Sequence, residues 1–254
     1  MARLAGRAAI VTGGARGIGE HYSRALAAEG ARVMIADIAD GSELAAELAS
    51  KHGANSVTSM VTDVSDEGAV KKLVAATAER FGKIDVLVNN AALFAVLEPT
   101  PATEIDVALW DKVMAVNVRG VFLMAKHVLP HMIAQKYGKI INITSGTAKK
   151  GLVGMAHYSS SKGAVQTFTR TLSREMGEYN ICVNSLAPGL TMSDTLVNSG
   201  THDAKRVANS VQSRAMKREE VPQDLVGTLV FLASADSDFI TGQTIAVDGG
   251  SVNT

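Results

Sequence analysis

The sequence predicts a doubly wound α/β domain, with a central seven-stranded parallel sheet flanked by helices on both faces. Three observations lead there. Short β-branched runs alternate with longer segments of helical period. The early runs are apolar nearly throughout, as expected where helices cover both faces of a parallel sheet. A glycine-dense turn joins the first run to the first helical segment. With 254 residues, 46% of them hydrophobic, one such domain can bury a substantial core.

Taken in order, strands are expected at Ala8–Thr12, Arg32–Asp37, Ser56–Val61, Val86–Asn89, Lys139–Ser145, Ile181–Leu186 and Thr244–Asp248. The helical pattern covers Ile18–Ala28, Ser42–Lys51, Glu67–Arg80, Ala108–Met132, Tyr158–Gly177 and Pro222–Leu232. Right-handed crossovers then place successive helices on the sheet, and a ligand lies beyond the carboxyl ends of the strands. No repeat, low-complexity tract or Pro/Ser-rich linker divides the chain, so residues 1–254 are expected to form one domain. Leu190–Glu220, polar and turn-rich, departs from the alternation and is expected to be a lid over the site.

Positive and negative side chains balance at 25 each, which gives no electrostatic reason for a nucleic acid or an anionic membrane as partner. Cys182 is the single cysteine, so one chain can form no internal disulfide and no thiolate metal cluster; no metal site is expected. Cys182 itself reads as a small apolar side chain within a strand. Met1–Val11 lacks the order of a secretory signal, and no apolar run approaches the roughly 18 residues of a spanning helix. The expectation is a cytoplasmic protein acting on a small molecule.

The turn Thr12-Gly13-Gly14-Ala15-Arg16-Gly17-Ile18-Gly19 opens a helix. Glycine lets backbone approach a pyrophosphate, and a helix N-terminus offers unpaired N–H groups and partial positive charge. The spacing Gly13-x-x-x-Gly17-x-Gly19 differs from the general G-x-G-x-x-G fingerprint, and a ligand-free tight turn would use the same residues. Asp37 ends the second strand eighteen residues beyond Gly19, where an acidic group accepts hydrogen bonds from ribose hydroxyls. A 2′-phosphate there would meet a like charge, which favours NAD over NADP. Arg16 argues the other way, since a guanidinium in the turn can bind phosphate. Asp63-Val64 and Asn89-Asn90-Ala91 place short polar groups at the next two strand ends, where turn chemistry is the alternative.

Ser145 ends the fifth strand; thirteen positions later Tyr158 begins a helical segment, with Lys162 one turn on. Tyr158 and Lys162 therefore share a face. Free tyrosine titrates near pH ~10, too high for a base at neutral pH, and an adjacent positive charge lowers that value. A Tyr-x-x-x-Lys pair alone is commonly a surface pair; the order of all these features on one α/β pattern is not common.

In that order the chain resembles the short-chain dehydrogenase/reductase family over essentially its whole length, through Asp248-Gly249-Gly250. The resemblance implies a Rossmann-like fold and an enzyme that moves a hydride between NAD and an alcohol or carbonyl group. It implies that Thr12–Gly19, including Gly13, Arg16, Gly17, Ile18 and Gly19, holds the pyrophosphate. It implies Asp63 for the adenine, Asn89-Asn90-Ala91 for the central sheet, and Pro188, Gly189 and Thr191 against the nicotinamide, while position at the strand ends puts Asp37, Asp63, Val64, Asn89 and Ala91 along the adenosine half. Asn117, Ser145, Tyr158 and Lys162 match the catalytic positions. By resemblance Tyr158 is the acid/base, Ser145 holds the substrate oxygen, Lys162 lowers the Tyr158 pKa and binds the nicotinamide ribose, and Asn117 supports a proton relay through water. Ala92 stands where the family often has glycine.

A substrate pocket is expected from Leu93, Phe94, Leu97, Leu152, Met155, Met192 and Leu196, a mainly apolar set suited to a medium-sized, weakly polar alcohol, aldehyde or ketone. Lys149 and Lys150 read as solvated, His157 as a cap or surface group, and Trp110 as packing or subunit contact. The resemblance implies a homotetramer, or a homodimer. The alternatives are an NADPH-dependent ketone reductase of the 3-ketoacyl type and a non-catalytic dinucleotide-binding sensor.

Overall fold

The seven apolar runs form the strands β1 (Ala8–Thr12), β2 (Arg32–Asp37), β3 (Val57–Val61), β4 (Val86–Asn89), β5 (Gly138–Ile143), β6 (Ile181–Pro188) and β7 (Thr244–Val247) in the computed structural model. They pair in the order β3-β2-β1-β4-β5-β6-β7, every pair parallel. The structure describes residues 2–201 and 203–252. Met1, Asn253 and Thr254 of the expected domain, and His202 of the expected lid, lie outside the described residues.

Between the strands run α1 (Gly17–Ala28), α2 (Ser42–His52), α3 (Glu67–Phe81), α4 (Val107–Met114), α5 (Gly120–Gln135), α6 (Thr147–Lys150), α7 (Ala156–Met176), α8 (Asp194–Ser199), α9 (Ala204–Gln212) and α10 (Pro222–Ala233). Because successive strand residues point to opposite faces, the sheet carries two cores. On one face Tyr22, Leu26, Leu44, Leu48, Leu225 and Leu229 pack over Val11, Val33 and Ile35. On the other Val70, Leu73, Leu123, Val128 and Met132 pack over Ile10, Leu87 and Ile140. The order reverses between β1 and β4, and a crevice opens at their carboxyl ends.

The structure departs from the expected elements at three places. The helix expected over Ala108–Met132 is interrupted by one widened π-helical turn, Ala115–Arg119, between α4 and α5. Asn117 within it is fully buried and bonds the loop after β4 instead of following a regular helical face. The fifth strand stops at Ile143, so Ser145 lies two residues beyond it. The stretch Leu190–Glu220 holds two helices, α8 and α9. Their start signals are in the sequence: the Ser193 hydroxyl accepts from the Leu196 N–H at 3.4 Å, and the Asp203 carboxylate from the Arg206 N–H at 2.8 Å.

Candidate active site

The crevice is a cleft of about 980 Å³ that runs from the glycine turn, past the carboxyl ends of β1 and β4, to the segment following β6. At its first end, Gly13 has φ +61° and a Cβ there would stand 2.9 Å from the Ala91 Cα. A Cβ on Gly19 would run into the Gly13 carbonyl. These glycines leave a bare backbone cradle over the start of α1. Asn90 holds the turn in place: its Nδ2 donates to the carbonyls of Thr12 and Gly13, each at 3.0 Å, while the N–H groups of Asn90 and Ala91 donate to the Thr12 hydroxyl.

Asp37 is buried at the tip of β2, and its two carboxylate oxygens accept from the N–H groups of Ala15 (3.1 Å) and Ala39 (3.0 Å). Each oxygen keeps a lone pair for a further donor. No cation pairs with it among the described residues. Arg16 is exposed at the cleft wall, and its guanidinium has no acidic partner among the described residues. Asp63 is exposed and caps its own turn through the N–H and hydroxyl of Ser65, and Val64 is buried beside it; both line the cleft.

At the other end Ser145, Tyr158 and Lys162 converge on the cleft. Tyr158 stands in the first turn of α7, where the His157 Nδ1 accepts the Tyr158 backbone N–H at 2.9 Å. His157 is thus fully buried within the first turn of α7, neither its cap nor a surface group. Phe94 lies against the Tyr158 ring, centroids 4.6 Å apart. Burial pushes the Tyr158 phenol above its ordinary pKa, an effect that the neighbouring Ser145 hydroxyl opposes. Burial also brings Lys162 down to about 8. The Lys162 ammonium donates to the Ile143 carbonyl at 2.8 Å and stands 5.7 Å from the centre of the Tyr158 ring. Pro188, Gly189 and Thr191 line the same end.

Two of the expected site residues point elsewhere. The Asn89 side chain turns into the sheet, donating to Asn142 Oδ1 at 2.9 Å; Asn142 continues to Thr169 and Ser185. Asn90 takes the place in the cleft wall expected of Asn89. The Asn117 amide lies behind the cleft, accepting from the Leu93 N–H at 2.7 Å and donating to the Leu93 carbonyl and to Ser161. Of the expected pocket residues, Leu93, Phe94, Leu152 and Leu196 line the cleft; Met192 does not, and Leu97 and Met155 are buried behind Tyr158. Lys150 reaches the cleft and donates to the Ser251 hydroxyl at 2.6 Å.

Sequence reasoning also missed Glu220 and Arg214, both almost fully buried beneath the segment after β6. Glu220 accepts from the Thr191 hydroxyl at 2.6 Å, and burial raises its pKa. Both stand in a polar stretch that reads as a solvated loop, where nothing in composition marks a buried charge.

Comparison with known proteins agrees with this geometry. A family model described as enoyl-(acyl carrier protein) reductase matches residues 13–252. The short-chain dehydrogenase/reductase eriH of Hericium erinaceus is 37% identical, over 96% of this chain and 97% of its own length. The chain belongs to the short-chain dehydrogenase/reductase family. Another member, galactitol 2-dehydrogenase of Agrobacterium fabrum, is 38% identical over 98% of both chains. The crystal structure of the member levodione reductase superposes with a TM-score of 0.90 at 32% identity, covering 97% of this chain and 98% of that one. Dehydrogenases of this short-chain family use nicotinamide cofactors, and the bare cradle at Gly13 and Gly19, with the acceptor Asp37 beside it, fits a dinucleotide. No helix among the described residues is long and apolar enough to cross a membrane.

Proposed function

We propose that the protein is an NAD-dependent oxidoreductase acting on a medium-sized, weakly polar secondary alcohol, ketone or aldehyde. The reading rests on one observation above the others: Tyr158, Ser145 and Lys162 meet in one cleft whose far end is the glycine cradle. Tyr158 is the acid/base. In oxidation it takes the hydroxyl proton of the alcohol as the carbon gives up its hydride, and in reduction it returns that proton to the carbonyl oxygen. A nicotinamide held at this end of the cleft would supply or accept the hydride. Ser145, which lines the cleft beside Tyr158, holds the reacting oxygen in line. Lys162, which lines the cleft and donates to the Ile143 carbonyl, contributes positive charge that favours phenolate and would hold the nicotinamide ribose. Gly13, Arg16, Gly17, Ile18 and Gly19 take the pyrophosphate, Asp37 the adenosine ribose, Asp63, Val64 and Ala91 the adenine side, and Pro188, Gly189 and Thr191 the nicotinamide. Asn117 acts by fixing Leu93 at the cleft wall, a positioning role.

Asp37 supports NAD. A buried carboxylate held by two backbone N–H groups and by no cation accepts ribose hydroxyls and opposes a 2′-phosphate. Arg16 supports a second reading, an NADPH-dependent ketone reductase of the 3-ketoacyl type, because a free guanidinium beside the turn can meet that phosphate. Titration with NADH and NADPH, followed by nicotinamide fluorescence, separates them. Tighter NADH binding, weakened by Asp37→Ala, is expected; tighter NADPH binding, weakened by Arg16→Ala, would replace the first reading with the second. The apolar wall of Phe94, Leu152 and Leu196 supports the substrate class, and a member named for galactitol extends it towards polyols. By family resemblance the assembly is a homotetramer or a homodimer, of which we take the tetramer. Its support is Phe122 on α5, 47% exposed and edge-on to the half-buried Phe168 of α7.

A further inference from the structure

The segment between β6 and α10 is tied at both ends to one buried carboxylate. Glu220 is 4% exposed. Its Oε1 accepts from the Thr191 hydroxyl at 2.6 Å, its Oε2 from the Gly189 N–H at 3.2 Å, and its backbone carbonyl from the Met192 N–H at 2.7 Å. A Cβ on Gly189 would stand 2.6 Å from Oε2, so this approach requires glycine. Arg214, 3% exposed, lies 3.6 Å from the same oxygen and donates to the carbonyls of Leu190 (2.7 Å) and Arg218 (2.8 Å). Thr191 lines the cleft, and Glu220 does not.

A threonine hydroxyl has one proton. At 2.6 Å from a carboxylate, in a charge-assisted bond, that proton is committed to Glu220. Towards the cleft Thr191 Oγ1 then presents lone pairs only. A group that meets it there must be a donor.

The geometry points to Glu220 as a positioning residue that fixes Thr191 as a hydrogen-bond acceptor and thereby selects the cofactor's carboxamide by its NH2 group. This rests on the reading that the nicotinamide lies against Gly189 and Thr191. Glu220 acts without touching the ligand. A glutamine in its place turns the arrangement round: the Arg214 guanidinium and the Gly189 N–H, which it shares with the Val247 carbonyl, both face the Oε2 position and call for the amide carbonyl there, so the NH2 faces Thr191, and the Thr191 proton leaves the Glu220 position for the cleft or for the Gly189 carbonyl 3.5 Å away.

The test compares two dissociation constants by calorimetry, for NAD and for 3-acetylpyridine adenine dinucleotide, in which a methyl group replaces the NH2. The wild type is expected to bind the acetyl analogue about tenfold more weakly, the size of one lost hydrogen bond. Thr191→Val and Glu220→Gln are each expected to bring the ratio near one. A ratio that stays about tenfold in Glu220→Gln while Thr191→Val abolishes it overturns the proposal and leaves the nicotinamide where the reading puts it. A wild type that does not discriminate, with Thr191→Val binding both dinucleotides as the wild type does, overturns the placement beneath it as well. If Glu220→Gln fails to fold, the same ratio is read in Glu220→Gln/Arg214→Met, which removes both buried charges together and leaves neither uncompensated. A tenfold ratio retained in that double variant also overturns the proposal.

Discussion

Tyr158 carries opposing demands. Burial holds its phenol above the ordinary value and so keeps it protonated, which suits donation to a ketone oxygen and opposes removal of a proton from an alcohol. In the proposed mechanism Lys162, itself brought down to about 8 by burial and 5.7 Å from the ring centre, is the positive charge that shifts the balance. The signs follow. Alcohol oxidation needs the phenolate, so its rate is expected to rise with pH; carbonyl reduction needs the phenol, so its rate is expected to fall as pH rises. Steady-state rates in both directions across pH check this, and parallel profiles would contradict an acid/base at Tyr158. Tyr158→Phe removes the proton carrier and leaves the ring. It is expected to lower kcat by roughly 10²- to 10⁴-fold, with NADH binding unchanged by fluorescence titration. Lys162 also bears on stability. Its folded-state pKa lies below that of a free lysine, so the folded chain binds fewer protons than the unfolded one between pH 8 and the ordinary lysine value, and stability from this group rises with pH through that window.

Among the elements, the turn into α1 bears the tightest constraint. A Cβ at Gly19 meets the Gly13 carbonyl, which neither the β1 end nor the Asn90 amide holding that carbonyl can release. Gly19→Ala is therefore expected to cost about 1–3 kcal/mol of stability, as overpacking does, and to weaken NADH binding with it. Thermal unfolding and titration of the same sample measure both, and a variant with wild-type Tm and affinity would mean that the turn relaxes freely. The π-helical turn at Ala115–Arg119 follows the same logic. A regular helix would carry Asn117 past Leu93, whereas the widened turn lets one amide satisfy both the N–H and the carbonyl of Leu93.

For the whole molecule, the proposed tetramer places α4, α5 and α7 at subunit contacts, where Val107 is 71% exposed on the free chain. Light scattering is expected to give four chain masses, and Phe122→Glu to shift the mass downward; a monomeric wild type would remove the assembly from the proposal.

The sequence by itself determined a seven-stranded parallel sheet and the carboxyl-end location of the cleft, because strands and helices announce themselves through local period and turn chemistry; the order of the strands came from the structure. The glycine turn, Asp37, and the spacing of Ser145, Tyr158 and Lys162 were legible for the same reason. Only the tertiary structure decided that Asn89 faces Asn142 and Asn90 faces the cleft, since neighbouring strand residues of one type differ only in which face they take. It alone split the helix at Asn117, through a contact with Leu93 twenty-four residues away. It alone joined Glu220 to Thr191 and Arg214, because a charge in a polar segment is buried or solvated according to what folds over it, and local sequence carries no record of that.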